Sequence, residues 1–221
     1  MAKNRSYKLL CPIARALDRI GDRWTLLILR DLHAGPARFT ELQRGLTGIA
    51  ANLLTERLGK LVDDGLIEKG DGGHGAVVYE LTDLGQQTSE IIFELAMFGA
   101  QFEPEGEVVA PGNLRTVATT LGAAAKRAAK PEMNFRAALK VDGEDISLDV
   151  ENGQATAIYG SCPDPDLLFR TGYQDLLAVS EGDLAPDQFL REHSELEIIT
   201  PGKEGEFTDL MSSIIGMIND Q

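Results

Sequence analysis

The stretch from Ala50 to Asp64 constrains this chain more than any other. At 100° per residue, Leu54, Leu58, Leu61 and Val62 share one face, while Asn52, Glu56 and Gly59 lie opposite with Thr55 and Lys60 on their flanks. Such a helix buries one side and shows a polar one. Just before it, Thr47-Gly48 reads as a turn, and Phe39-Thr40-Glu41-Leu42-Gln43 opens a shorter helix. Thr40 and Gln43 have the capping-box spacing, and Phe39 stands where a hydrophobic staple would. A short helix, a tight turn with glycine and a two-faced helix form a helix-turn-helix, whose second helix would read the major groove.

The flanking residues extend the pattern. Cys11-Pro12 opens a first helix with Ile13, Leu17 and Ile20 at helical spacing, ended by Gly21. Asp22 caps a second, carrying core residue Trp24 with Leu27, Ile28 and Leu32, and stopped by Gly35-Pro36. After Gly65, strands are expected over Leu66–Lys69 and Val77–Leu81, joined by the Asp71-Gly72-Gly73-His74-Gly75 tip. A hairpin packed after a helix-turn-helix is a wing. Thr82 then caps one helix with Leu84, Ile91, Ile92, Leu95 and Phe98 on one side. That stripe exceeds what a small winged core needs; it reads as a dimer surface, with plain core packing the alternative.

Charge looks unfavourable for nucleic acid at first. The 221 residues carry a net charge of −14. The average hides an asymmetry: residues 1–60 hold 11 Lys/Arg against 5 Asp/Glu, and residues 101–221 hold 9 against 22. A basic surface confined to the first part fits that split, as does a merely soluble acidic second half. Hydrophobic residues at 43% and charged residues at 25% exclude a disordered chain or a collagen. Two cysteines cannot frame a disulfide scaffold. No secretory signal or bilayer-length apolar run is seen, so no membrane insertion and a cytoplasmic location are expected.

Organisation breaks where Glu103-Pro104-Glu105-Gly106-Glu107 and Pro111-Gly112-Asn113 disfavour regular structure. The expected division is a domain over 1–102, a linker over 103–112 and a second domain over 113–221. In the second, a helix is expected over Arg115–Lys130. Strands follow over Asn134–Leu139, Ile146–Glu151 and Gln154–Tyr159, with Asp142-Gly143 and Asn152-Gly153 as tight turns. Helices over Pro165–Glu181 and Pro186–Arg191, a strand over Leu196–Ile199 and an apolar helix over 205–218 complete it. The fold class is α+β, a winged helix-turn-helix domain followed by a domain with a mainly antiparallel sheet.

Cys11-Pro-Ile-Ala-Arg-Ala-Leu-Asp-Arg-Ile-Gly-Asp-Arg-Trp-Thr25 closely resembles the opening of HxlR-type winged-helix regulators. So do Arg38-Phe-Thr-Glu-Leu42, Leu54-Thr-Glu-Arg-Leu58, Gly65-Leu-Ile67 and Tyr79-Glu-Leu-Thr-Asp-Leu-Gly85. The resemblance covers about residues 8–102. It implies a cytoplasmic homodimer, paired through its first and last helices, on a pseudo-palindromic operator in double-stranded DNA. Residues 113–218 resemble, more loosely, a sterol carrier protein type-2 domain, through Asp175-Leu-Leu-Ala-Val-Ser-Glu-Gly-Asp-Leu-Ala-Pro-Asp-Gln-Phe-Leu190 and the apolar final helix. That implies an apolar pocket for a lipid-like small molecule, lined by Phe169, Tyr173, Phe189, Met211 and Ile215. A filled core serving dimer contacts would need the same residues.

Within the winged-helix pose, Arg38, Thr40 and Lys60 are placed for phosphate, with a solvated surface charge the bland reading of each. Asn52 and Thr55 are the base-edge candidates, since Asn can bridge adenine N6 and N7. Glu56 either accepts from cytosine N4 or weakens binding by repulsion. Arg57 either reaches phosphate or holds an ion pair within the fold. The wing offers only Lys69 and His74. Ala50 weakens the helix cap and Gly59 puts no side chain in the groove, so weaker DNA binding than a typical member is expected. Members of the family include thiol redox sensors with a cysteine at the place of Cys11, and Lys8 lies near; a buried Cys is often just a small hydrophobe.

Catalysis finds no footing. His33, His74 and His193 lack metal-ligand spacing, and no nucleophile elbow, phosphate loop or dinucleotide fingerprint appears. No enzyme, metal or cofactor is expected. The residues read as a transcription regulator, a repressor by default, whose second domain senses a small apolar ligand. The rival is a lipid-binding or scaffold protein whose winged domain serves dimerisation. A third reading places the switch at Cys11.

Overall fold

The computed structural model describes residues 6–102 and 113–219, the side chains of 218 and 219 excepted. The expected linker, 103–112, lies outside the described residues. The chain divides into two compact units, Met1–Ile92 and Phe93–Gln221, so the division falls inside a helix.

The first unit opens with α1 (Pro12–Ile20), Pro12 at its start and Gly21 at its end. Next is α2 (Thr25–His33). Asp22 Oδ1 accepts from the N–H groups of Trp24 at 3.0 Å and Thr25 at 3.2 Å, two donors that the helix itself cannot satisfy. A two-residue strand, β1 (Ala37–Arg38), leads into α3 (Phe39–Gly45). The cap here differs from the expected Thr40/Gln43 box. The Arg38 N–H donates to Glu41 Oε2 at 2.6 Å, so the box is shifted two residues towards the N-terminus. Pairing of β1 with Val78 and Tyr79 fixes Arg38 as the last extended residue, which leaves Thr40 inside the helix. After a turn at Gly48 (φ +93°) comes α4 (Ala51–Asp63). Its buried face, Leu54, Leu58 and Leu61, meets Ile28, Leu29, Leu32, Leu42 and Ile67 in one core.

The wing is β2 (Ile67–Asp71) and β3 (Val77–Leu81), antiparallel, with β1 on the far side of β3. Gly73, His74 and Gly75 all take positive φ at the tip. Past Thr82 the single expected helix is two: α5 (Asp83–Gln86) and α6 (Ser89–Gly99). Thr88 makes the break. Its N–H bonds the Gly85 carbonyl at 3.0 Å, a three-residue step, and its hydroxyl donates to the same carbonyl at 2.7 Å. Gly85 itself is required, because a Cβ there would lie 2.0 Å from the Leu66 carbonyl oxygen.

In the second unit α7 (Leu114–Ala128) covers a five-stranded sheet in which the strands lie, by chain order, third, second, first, fourth, fifth. The strands are β4 (Phe135–Val141), β5 (Glu144–Glu151), β6 (Gln154–Tyr159), β7 (Leu167–Thr171) and β8 (Ser194–Ile198). The meander β4–β5–β6 runs as expected, with positive φ at Asp142, Gly143, Asn152 and Gly153. The expected helix over 165–181 does not form as one piece. Its first part is β7, parallel to β4 and antiparallel to β8, and only α8 (Tyr173–Ser180) is helical. Leu167 and Phe169 alternate into the core as the period of a strand requires. α9 (Pro186–Glu192) and α10 (Glu204–Asn219) complete the unit.

Candidate nucleic-acid interface

α4 shows Asn52, Thr55, Glu56 and Gly59 to solvent, the residues expected on its polar side. Ala50 makes no side-chain cap, as expected from its lack of a hydroxyl. Thr55 Oγ1 donates to the Ala51 carbonyl at 2.9 Å. This helical back-bond leaves its oxygen's acceptor capacity for a partner. Asn52 carries both a donor and an acceptor on an exposed amide. Arg38 and Thr40 are exposed at the head of α3. Arg38 is held there twice over, by the β1–β3 register opposite Val78 and by Glu41.

The two cations of α4 are differently placed. Lys60 and Arg57 are only 25% and 22% exposed. Lys60 Nζ donates to the Asp18 carbonyl at 3.2 Å, the Arg19 carbonyl at 3.4 Å and Asp64 Oδ2 at 2.6 Å. Arg57 Nη1 donates to Glu56 Oε1 at 2.9 Å. Its Nε lies 3.0 Å from Asp22 Oδ2, an ion pair in which the N–H is not aimed at the oxygen. Burial disfavours the charged form of Asp22. The Thr25 hydroxyl, the Trp24 N–H and the Arg57 guanidinium outweigh it and hold the carboxyl below its usual range. Sequence reasoning missed Arg19, Asp22 and Asp64 as partners. The Lys60–Asp64 spacing of four was a readable signal; the 45 residues from Arg19 to Asp64 gave none.

The wing exposes Lys69 and, at its tip, His74. It also sets Glu68 directly opposite Glu80. Like charges in that position repel each other, and both would repel phosphate.

Cys11 is exposed at the head of α1, whose outer face carries Ile13 (70% exposed) and Leu17 (45%), with Leu10 (99%) just before the helix. On α6 and just beyond it, Ile91, Leu95, Phe98 and Phe102 are likewise exposed. Trp24 is half-buried against the first core, and the Arg23 guanidinium lies 5.4 Å from its ring.

In the second unit, Phe169, Phe189, Met211 and Ile215 are all buried, while Tyr173 is half-buried at the start of α8. The Phe169 ring lies 6.0 Å from Phe189 and 5.5 Å from Phe207, which in turn meets Phe135 at 5.9 Å. Phe207 and Phe135 were not among the expected lining residues. Among the described residues no group of three His, Cys, Asp or Glu side chains gathers as a metal would need, and no helix is long and apolar enough to cross a membrane.

Residues 19–107 match the family model described as HxlR-like helix-turn-helix. An uncharacterised HTH-type transcriptional regulator of Mycobacterium tuberculosis is 37% identical over 97 residues, 43% of this chain and 61% of the relative. The chain thus spans under two thirds of that relative's length. The regulator YtfH of Escherichia coli is 35% identical over 88 residues, 39% of this chain and 70% of YtfH. YodB of Bacillus subtilis is 30% identical over 103 residues, 45% of this chain and 92% of YodB. A crystal structure of PA1607, a transcription factor by its description, aligns at 36% identity over 46% of this chain and 73% of its own, with a TM-score of 0.41. The residues matched by the family model take in the helix-turn-helix and the wing. The chain belongs to the HxlR-like helix-turn-helix family.

Proposed function

We propose that the chain is a DNA-binding transcriptional regulator, a repressor, that grips a pseudo-palindromic operator as a homodimer. The observation that carries this reading is α4: a helix in helix-turn-helix context with a fully buried leucine face and an exposed polar one. Asn52 and Thr55 read base edges from it, with Glu56 beside them. Arg38 and Thr40 take phosphates at the head of α3, and Lys69 and His74 reach from the wing. The exposed apolar faces of α1 and α6 supply the surface for a second copy.

The second unit senses a small apolar molecule. Its support is the order of its elements over the stretch that resembles a sterol carrier protein type-2 domain. A ligand acts only by binding one arrangement of the two reading helices better than another. Footprinting tests the whole reading: the dimer is expected to protect two half-sites about one helical turn apart in the intergenic DNA before its own gene. Protection of a single half-site, or none, would count against it.

A further inference from the structure

The polar flank of α4 carries two cations that a winged-helix pose would assign to phosphate, and the structure ties both elsewhere. An ammonium has three N–H donors. Lys60 uses all three, on the Asp18 and Arg19 carbonyls and on Asp64. The two carbonyls belong to the last turn of α1, where the helix leaves oxygens without partners and carries partial negative charge. Lys60 therefore caps α1. Asp64 completes a clamp, since its other oxygen accepts from Arg19 Nη1 at 2.7 Å. One turn earlier on α4, Arg57 pairs with Asp22, whose carboxylate also caps the start of α2.

We infer that Lys60 and Asp64, with Arg57 and Asp22 beside them, are positioning residues that hold the reading helix to the α1–α2 corner, and that Lys60 does not contact DNA. This rests on the DNA-binding reading above and refines it. The angle at which α4 presents Asn52 and Thr55 is set from behind, by the corner between α1 and α2. Phosphate affinity then falls to Arg38 and the wing.

The test separates anchoring from contact by salt dependence. The affinity of the full chain for a duplex of its own upstream intergenic DNA is measured at several salt concentrations for wild type, Lys60→Met and Asp64→Asn. Melting and sedimentation confirm folding and assembly. A lost phosphate contact flattens the log–log salt slope by about 0.9; a lost anchor leaves it unchanged. Lys60→Met is expected to weaken binding about fivefold with the slope intact. Asp64→Asn is expected to weaken it too, although it removes a negative charge from a DNA-binding unit. Asp64→Asn is conservative enough to fold, so the inference does not depend on Lys60→Met folding. A flattened slope in Lys60→Met, or tighter binding by Asp64→Asn, would overturn the anchoring role while leaving the DNA-binding reading intact. Wild type that binds no DNA would overturn both.

Discussion

Asp22 shows how much one residue can carry without touching any ligand. Its carboxylate caps α2 and faces Arg57, and these partners hold its pKa below the ordinary carboxylate range, which burial alone would raise. The sign follows: a group with a depressed folded-state pKa stabilises fully above its unfolded value, about pH 3.9, and that stability is lost as pH falls through the folded value. Asn caps a helix as well as Asp. Asp22→Asn is therefore expected to keep α2 while losing part of the acid-side decline in stability, read from melting temperatures between neutral pH and about pH 3. An unchanged pH profile would remove Asp22 from that account. The exposed residues of α4 were legible in the sequence because a helical wheel sorts Asn52 from Leu54 without knowing any partner. For Arg57 the sequence left phosphate and an ion pair within the fold both open, and for Lys60 it pointed to phosphate; acids and carbonyls supplied by α1 and the α1–α2 corner decide both. Residues 42 positions apart in sequence meet only after the fold forms.

At the scale of elements, packing decides what periodicity leaves open. Leu58 is 1% exposed at the centre of the α4 face. Leu58→Ala is expected to cost about 2–5 kcal/mol, measured by denaturant unfolding of the full chain. A cost well under 1 kcal/mol would mean that α4 is not seated on the core described. The helices and the wing were readable because glycine and proline punctuate them and their apolar residues recur cleanly. Two elements were not. The stretch 167–171 holds Leu167, Leu168 and Phe169 in a run that suits a helix or a buried strand equally. Register against β4 and β8 makes it a strand. The break between α5 and α6 turns on the Thr88 hydroxyl and its bond to the Gly85 carbonyl, which wheel geometry does not register. The capping box moved for a similar reason: a two-residue strand at Ala37–Arg38, too short to read, decides where α3 begins.

For the whole molecule, surface chemistry divides the labour. The first sixty residues are basic, and the acidic balance lies in the rest of the chain. The wing adds Glu68 and Glu80 to the acidic side, so in the proposed function the cations left for phosphate there are Arg38 and Lys69. Pairing with a second copy then matters more, since two weak half-sites bound together are far stronger than one. Leu95 is 47% exposed on α6, so Leu95→Glu leaves the fold intact in this account. At one concentration sedimentation is expected to show a dimer for wild type and a monomer for the variant, with DNA affinity lowered by at least about tenfold. A dimer that survives the change would place the contact elsewhere. In the proposed function α4 and its neighbours bind operator DNA specifically. This is tested most directly by titrating the full chain onto its upstream intergenic DNA at two salt concentrations, against excess nonspecific duplex. Saturable binding is expected that survives the competitor and weakens with salt along a shallow log–log slope, because Lys60 and Arg57 are held within the fold. Binding abolished by competitor, or none at either salt, would contradict it and favour a lipid-binding or scaffold protein with a winged dimerisation unit.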